Sequence, residues 1–173
     1  MARHITLIGM MGAGKSSVAP LLAASLHRAV IEVDALIEEQ EGMPIGEIFM
    51  AKGEAYFRRV EGETITRLLQ EPPAVLSLGG GAFMWDSTRN LLLAETVVFY
   101  LSGTLETLCA RVAAGAGNRP LLSMSEVSLE ETMRALLEKR TPYYSLAHYR
   151  VETDSYPPAE VAKAIVIMRE SYD

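Results

Sequence analysis

Gly9-Met10-Met11-Gly12-Ala13-Gly14-Lys15-Ser16 decides how the rest of the chain is read. It fits G-x-x-x-x-G-K-[ST], the loop that wraps nucleotide phosphates. Its flanks agree. His4 to Ile8 is short, apolar and β-prone, and Ser17 to His27 is rich in Ala and Leu and predicts a helix. Glycines at 12 and 14 let backbone N–H groups converge on oxygen atoms without side-chain clashes. The helix that follows directs the positive end of its dipole to the same place. Gly12, Ala13, Gly14, Lys15, Ser16 and Ser17 are therefore the candidate nucleotide-binding residues. Lys15 is placed to reach the β- and γ-phosphates, and the Ser16 hydroxyl to take one Mg²⁺ position. An incidental Gly-rich turn with a lysine would match this pattern in well under about one in a hundred chains of this size.

The bulk composition narrows what such a loop serves. At 173 residues the chain is most simply one α/β domain with one core. Its formal net charge is −6 and it has no Lys/Arg run, which argues against a nucleic-acid partner. An acidic chain that binds anions must concentrate positive charge locally, so single arginines gain weight. Cys109 stands alone, which excludes an internal disulfide and suits a reducing cytoplasm. No apolar run approaches the ~20 residues of a membrane span.

Along the chain, apolar strands alternate with helical stretches. Val30–Asp34 reads as a second buried strand ending in acids. Residues 35–52 read as short helices broken at Gly42-Met43-Pro44, and Glu54–Gln70 as a longer helix stopped by Pro72-Pro73. Ala74–Leu78 is a third strand running into Gly79-Gly80-Gly81, and Val97–Leu101 a fourth. Helices are predicted over Ser87–Ala94 and Thr104–Val112. Ser128-Leu129-Glu130-Glu131 is a capping box opening a helix to about Thr141. Tyr149–Val151 is a last strand, and Pro157-Pro158 starts a final helix. Such alternation means a mostly parallel sheet covered on both faces, with ligands at the carboxyl ends of its strands.

Four groups fall at that edge. Beside the phosphate loop are Glu32 and Asp34, which alternate with Val33 and so share one face at the end of the second strand. Asp34 could orient or deprotonate an acceptor hydroxyl, or simply cap the next helix; Glu32 could hold a Mg²⁺-bound water. Gly79, Gly80 and Gly81 bring backbone amides close to a ligand or make a sharp turn. The Gly/Ala-rich segment 113–125 carries Arg119, which suits a lid closing over the γ-phosphate as well as it suits a solvated loop. Spacing alone makes Arg58 a surface i,i+4 partner of Glu54 and Arg140 a complement to a helix dipole. Trp85 and the methionines read as packing.

Taken together these segments resemble the shikimate kinases over nearly the whole chain. The resemblance is carried by G-M-M-G-A-G-K-S at Gly9–Ser16, G-E-A-Y-F-R-R-V-E at Gly53–Glu61, S-L-G-G-G-A-F at Ser77–Phe83 and N-R-P-L-L at Asn118–Leu122. Lys139-Arg140-Thr141-Pro142-Tyr143-Tyr144 looks like that family's K-R-x-P-x-Y. The resemblance implies a three-layer α/β/α P-loop kinase fold of one domain, 1–173. It implies a five-stranded parallel sheet, a substrate-binding helical segment over about 34–61 and a lid over about 113–125. It implies that Arg58 and Arg140 clamp the shikimate carboxylate, since a guanidinium offers a bidentate match. It further implies that Asp34 holds shikimate hydroxyls, that Gly80 above all of the triple glycine supplies backbone contact, that Arg119 lies near the transferring phosphate, and that Glu61 orients the substrate-side arginine. Arg111 corresponds to an arginine that stacks on adenine. Two departures stand out. Glu32-Val33-Asp34 replaces the usual Asp-x-Asp, and Asp154-Ser155-Tyr156-Pro157 carries no basic residue where the adenine loop often does.

The expectation is a monomeric, cytoplasmic enzyme that uses ATP and Mg²⁺ to phosphorylate shikimate on the route to aromatic amino acids. It has no nucleic-acid or membrane partner. Lys15, Asp34 and Arg119 are the expected catalytic residues, and Ser16 and Glu32 the expected metal residues. The rivals are a kinase for another small hydroxylated acceptor, such as gluconate or a nucleoside monophosphate, and a catalytically silent nucleotide-binding homologue.

Overall fold

A computed structural model describes residues 3–115 and 128–172. Five parallel strands form one sheet: β1 (His4–Ile8), β2 (Val30–Glu32), β3 (Val75–Ser77), β4 (Thr96–Ser102) and β5 (Tyr149–Glu152), in the order β2-β3-β1-β4-β5. Around it lie α1 (Lys15–Leu26), α2 (Val33–Glu41), α3 (Ile45–Lys52), α4 (Glu54–Leu68), α5 (Asp86–Glu95), α6 (Leu105–Gly115), α7 (Leu129–Tyr144) and α8 (Pro158–Glu170). Every residue of β1, β3 and β4 is buried, as expected for strands covered on both faces. Leu7 stands opposite Ser77 on one side and Phe99 on the other, so β1 forms the middle of the sheet. Side chains reinforce the ladder, with the Thr6 hydroxyl donating to Thr96 Oγ1 at 2.9 Å inside the core.

The parallel register brings the carboxyl ends of β1, β2, β3 and β4 to one edge. The phosphate loop follows β1, α2 follows β2, the triple glycine follows β3, and Gly103 follows β4. A short 3₁₀ turn, Ala82–Met84, leads from the glycines into α5. Arg89 anchors this turn, donating to the carbonyls of Phe83 and Met84 and to Asp86.

The second strand departs from the expected span. It stops at Glu32, lies at the sheet edge and is only partly buried; Val33 already belongs to α2. Val33 and Ile37, one helical turn apart, are both fully buried, and helix is the conformation that sinks both into the same core. Glu32 and Asp34 therefore do not alternate along a strand. Nor is Asp34 an N-cap: that position is Glu32, without a side-chain capping bond, and Asp34 sits in the first helical turn. The helix expected to end near Thr141 continues through Pro142 to Tyr144. A proline that late removes one hydrogen bond, and the complete burial of Tyr144 offsets it.

Candidate active site

At the strand ends lies a cavity of about 740 Å³, bordered by the phosphate loop, Glu32, Asp34, Gly79, Gly80, Arg111 and Arg140. The loop turns through left-handed backbone at Gly12, with φ 81°, where a Cβ would lie 2.8 Å from the Leu108 carbonyl oxygen. Only glycine allows the chain to pass there. Gly14 forms the left-handed entry to α1, and no side chain caps the helix. The first amides of α1 are thus available to an anion, with the helix dipole behind them. Ser16 and Ser17 are exposed at this mouth. The Lys15 ammonium donates to the carbonyls of Gly9 (2.7 Å) and Met10 (3.1 Å). Burial lowers its pKa to about 8, against the opposing pull of Glu32 and Asp34.

On the opposite wall the three glycines each give room to one charged side chain. A Cβ on Gly79 would fall 2.5 Å from an Asp34 carboxylate oxygen, and one on Gly80 2.6 Å from Arg140 Nη1. One on Gly81 would strike Arg58 Nη2. Asp34, Arg58 and Arg140, far apart in sequence, thus meet along three consecutive residues. Asp34 Oδ1 and Arg58 Nε are buried without a hydrogen-bond partner. Buried polar atoms of that kind call for a partner, which a water, an ion or a ligand can supply. Burial raises the Asp34 pKa, while Lys15 and Arg58 pull it back.

Arg58 is held from behind by Glu61, whose Oε2 accepts from Nη1 at 2.8 Å; Glu54 stands farther off, at 3.7 Å from Nε. Glu61 is almost fully buried, and burial raises its pKa against the attraction of Arg58. The surface pair suggested by spacing is therefore the weaker of two, and the buried Glu61 sets the arginine's direction. Phe49, Phe57 and Trp85 surround the guanidinium, with ring centroids 5.1–6.0 Å away. Trp85, read from sequence as packing, is instead 43 % exposed beside this arginine.

Arg111 donates to the carbonyl of Gly12 (3.3 Å) and to Thr153 Oγ1 (2.9 Å) and O (2.6 Å). It thereby ties the phosphate loop to the segment after β5. Asp154 accepts from the Thr104 amide at the start of α6, which occupies the acid in the loop that lacks basic residues. Ser16 and Glu32 border the same cavity as the phosphate loop, and no cluster of three His, Cys, Asp or Glu occurs among the described residues. That donor set fits Mg²⁺, which keeps several waters and takes few protein ligands when phosphates supply the rest. Arg119, most of the 113–125 lid and the Asn118–Leu122 motif lie outside the described residues.

Sequence reasoning passed over Tyr144. It is fully buried, and its hydroxyl donates to the Gly80 carbonyl at 2.6 Å. Arg89, behind the glycine turn, was missed as well. Tyr144 does occur within the K-R-x-P-x-Y segment, but only the tertiary contact reveals what its hydroxyl meets.

Comparison with known proteins shows what the chain resembles. The family model described as "Shikimate kinase" matches residues 11–169. A shikimate kinase of Zymomonas mobilis is 41 % identical over 165 residues, covering 95 % of this chain and 92 % of its own. Among solved structures, the shikimate kinase of Acinetobacter baumannii in complex with shikimate superposes with a TM-score of 0.88 at 34 % identity, covering 100 % of this chain and 96 % of that one. The shikimate kinase of Bacteroides thetaiotaomicron gives 0.90 at 28 % identity, covering 97 % and 98 %.

Proposed function

The chain belongs to the shikimate kinase family, and from that membership we propose how its residues divide the reaction. The enzyme transfers the γ-phosphoryl group of ATP to the 3-hydroxyl of shikimate, giving shikimate 3-phosphate and ADP. The acceptor oxygen forms the new bond to phosphorus as the bond to the β–γ bridging oxygen breaks. Such transfers need positioning and charge stabilisation more than covalent help.

In our reading, the loop from Gly12 to Ser17 receives the phosphates, and Lys15 leaves its two loop carbonyls for their oxygens. Ser16, with Glu32 acting through water, would hold Mg²⁺. When bound, that ion neutralises charge on the phosphates. Arg111, whose guanidinium edge is occupied by Gly12 and Thr153, offers its flat face to adenine. On the other wall Arg58 and Arg140 clamp the shikimate carboxylate. Asp34 accepts a hydrogen bond from the reacting hydroxyl, and its upward-shifted pKa makes it a better proton acceptor than an exposed aspartate. The Gly79–Gly81 backbone approaches the ring. Arg119 completes the proposal on sequence resemblance, as a cation beside the transferring phosphoryl. A monomeric, cytoplasmic enzyme without nucleic-acid or membrane contacts belongs to the same proposal. No helix among the described residues is long and apolar enough to cross a membrane.

The observation supporting this division is the meeting of Asp34, Arg140 and Arg58 on Gly79, Gly80 and Gly81, opposite the phosphate loop. It is tested by Arg58→Ala and Arg140→Ala. Losing one charge-assisted pair costs about 2–3 kcal/mol, or roughly 30- to 150-fold in affinity. Steady-state assays should therefore show a shikimate KM raised by that factor and an ATP KM within about threefold of wild type. A mutant that lost ATP affinity instead would show the two walls to be misassigned.

A further inference from the structure

We infer that Tyr144 is a positioning residue for shikimate, fixing the triple-glycine run and Arg140 in register through one hydroxyl. The inference rests on the assignment of Arg140 to the substrate carboxylate. Tyr144 lies one helical turn beyond Arg140 on α7, so both side chains leave the helix on the same face. Its ring is fully buried and packs on Tyr100, with centroids 4.9 Å apart and planes tilted by 33°. Two rings held in this way fix the direction of the phenol.

That hydroxyl donates to the Gly80 carbonyl at 2.6 Å, and it stands beside Arg140 over the same glycine: a Cβ on Gly80 would lie 2.6 Å from Arg140 Nη1 and 3.3 Å from the hydroxyl. A phenol can donate one hydrogen bond and accept others, so a single oxygen can serve both neighbours. Burial pushes its pKa up to about 12, so the donor proton stays in place throughout the working range. The Arg140 guanidinium also makes a weak contact, from Nη1 to Met10 Sδ at 3.8 Å. Gly80 lies between Gly79, which gives room to Asp34, and Gly81, which gives room to Arg58. A bond that sets the plane of the Gly80 carbonyl therefore sets the surface on which all three substrate-facing groups rest. The hydroxyl is the joint between α7 and that surface.

Tyr144→Phe removes the joint and keeps the ring. Its shikimate KM should rise about five- to twentyfold, with kcat within threefold and ATP KM within twofold of wild type. KM does not depend on the folded fraction, so a lower yield cannot imitate this pattern. Tyr100→Phe is the control for merely losing a buried hydroxyl from the same pair, and its shikimate KM should stay within twofold. Gly80→Ala attacks the joint from the loop side, because the new methyl would lie 2.6 Å from Arg140 Nη1 and 3.3 Å from the Tyr144 hydroxyl. It should reproduce the selective rise, and it decides alone if Tyr144→Phe gives no soluble enzyme. The inference is overturned if either Tyr144→Phe or Gly80→Ala leaves shikimate KM within twofold. It also falls if Tyr100→Phe or the ATP KM changes as much. Arg140→Ala separates the two levels. If it spares shikimate KM while Tyr144→Phe raises it, the carboxylate assignment falls and the tyrosine's hold on the glycines stands.

Discussion

Lys15 keeps its ammonium on two carbonyls of its own loop, in surroundings that lower its pKa from the ordinary lysine value to about 8. Because the unfolded chain keeps the ordinary value near 10.5, it binds more protons between pH 8 and 10.5. Stability gains from Lys15 as pH rises through that window, and the cost of burying the charge is fully present below it. A polyphosphate beside Lys15 reverses the balance by favouring the charged form. ADP binding at pH 8 should therefore take up roughly half a proton per enzyme. Calorimetric titrations in two buffers of different ionisation enthalpy would read this directly, and equal heats in both would refute it. Lys15 and Ser16 were legible in the sequence because a local motif encodes a local structure. Arg58 and Arg140 were not legible from spacing, since each sits where a helix commonly carries an arginine for its own reasons. Their meeting at Gly80 and Gly81 depends on how α4 and α7 pack against the turn after β3, and only family resemblance anticipated it.

At the scale of elements, α7 carries both Arg140, proposed above to bind the shikimate carboxylate, and Tyr144, inferred to brace it. Its start was readable to the residue. Ser128 Oγ accepts from the Glu131 amide at 3.2 Å, and Glu131 Oε2 accepts from the Ser128 amide at 3.0 Å. Its end was not, because a proline rule is local while the burial of Tyr144 is tertiary. The same contrast explains α2: residues 30–34 look β-prone, and only the common core beneath Val33 and Ile37 turns the chain into a helix at Val33. The capping box lies far from Arg140 along the helix, so it supports the element without touching the substrate. Ser128→Ala should lower Tm by about 2–4 °C while leaving shikimate KM unchanged. Scanning calorimetry and steady-state kinetics on the same preparation check both halves. A changed KM with an unchanged Tm would mean that the start of α7 acts in the site rather than as a support.

The whole molecule is acidic, with a net charge of −6, yet it gathers Lys15, Arg111 and Arg140 around one cavity and holds Arg58 beside it. Alternating apolar strands and helices announced the parallel sheet. The order β2-β3-β1-β4-β5 is a property of packing that no single segment carries, and it is this order that sets the phosphate loop beside the triple glycine. The two walls belong to different elements, so each ligand stabilises the fold through its own contacts. At a free concentration one hundred times Kd, a ligand specific for the native state adds about 2.7 kcal/mol. For a chain of this size that is about 5–10 °C in Tm. ADP and shikimate should each produce a shift of this order in wild-type enzyme. Arg58→Ala should keep the ADP shift and lose most of the shikimate shift at the same concentrations, because Arg58 lies against Gly81 and Glu61, away from the phosphate loop. Should both shifts disappear together, Arg58 would be supporting the nucleotide wall through the fold, and the separation of the cavity into two independent walls would be wrong.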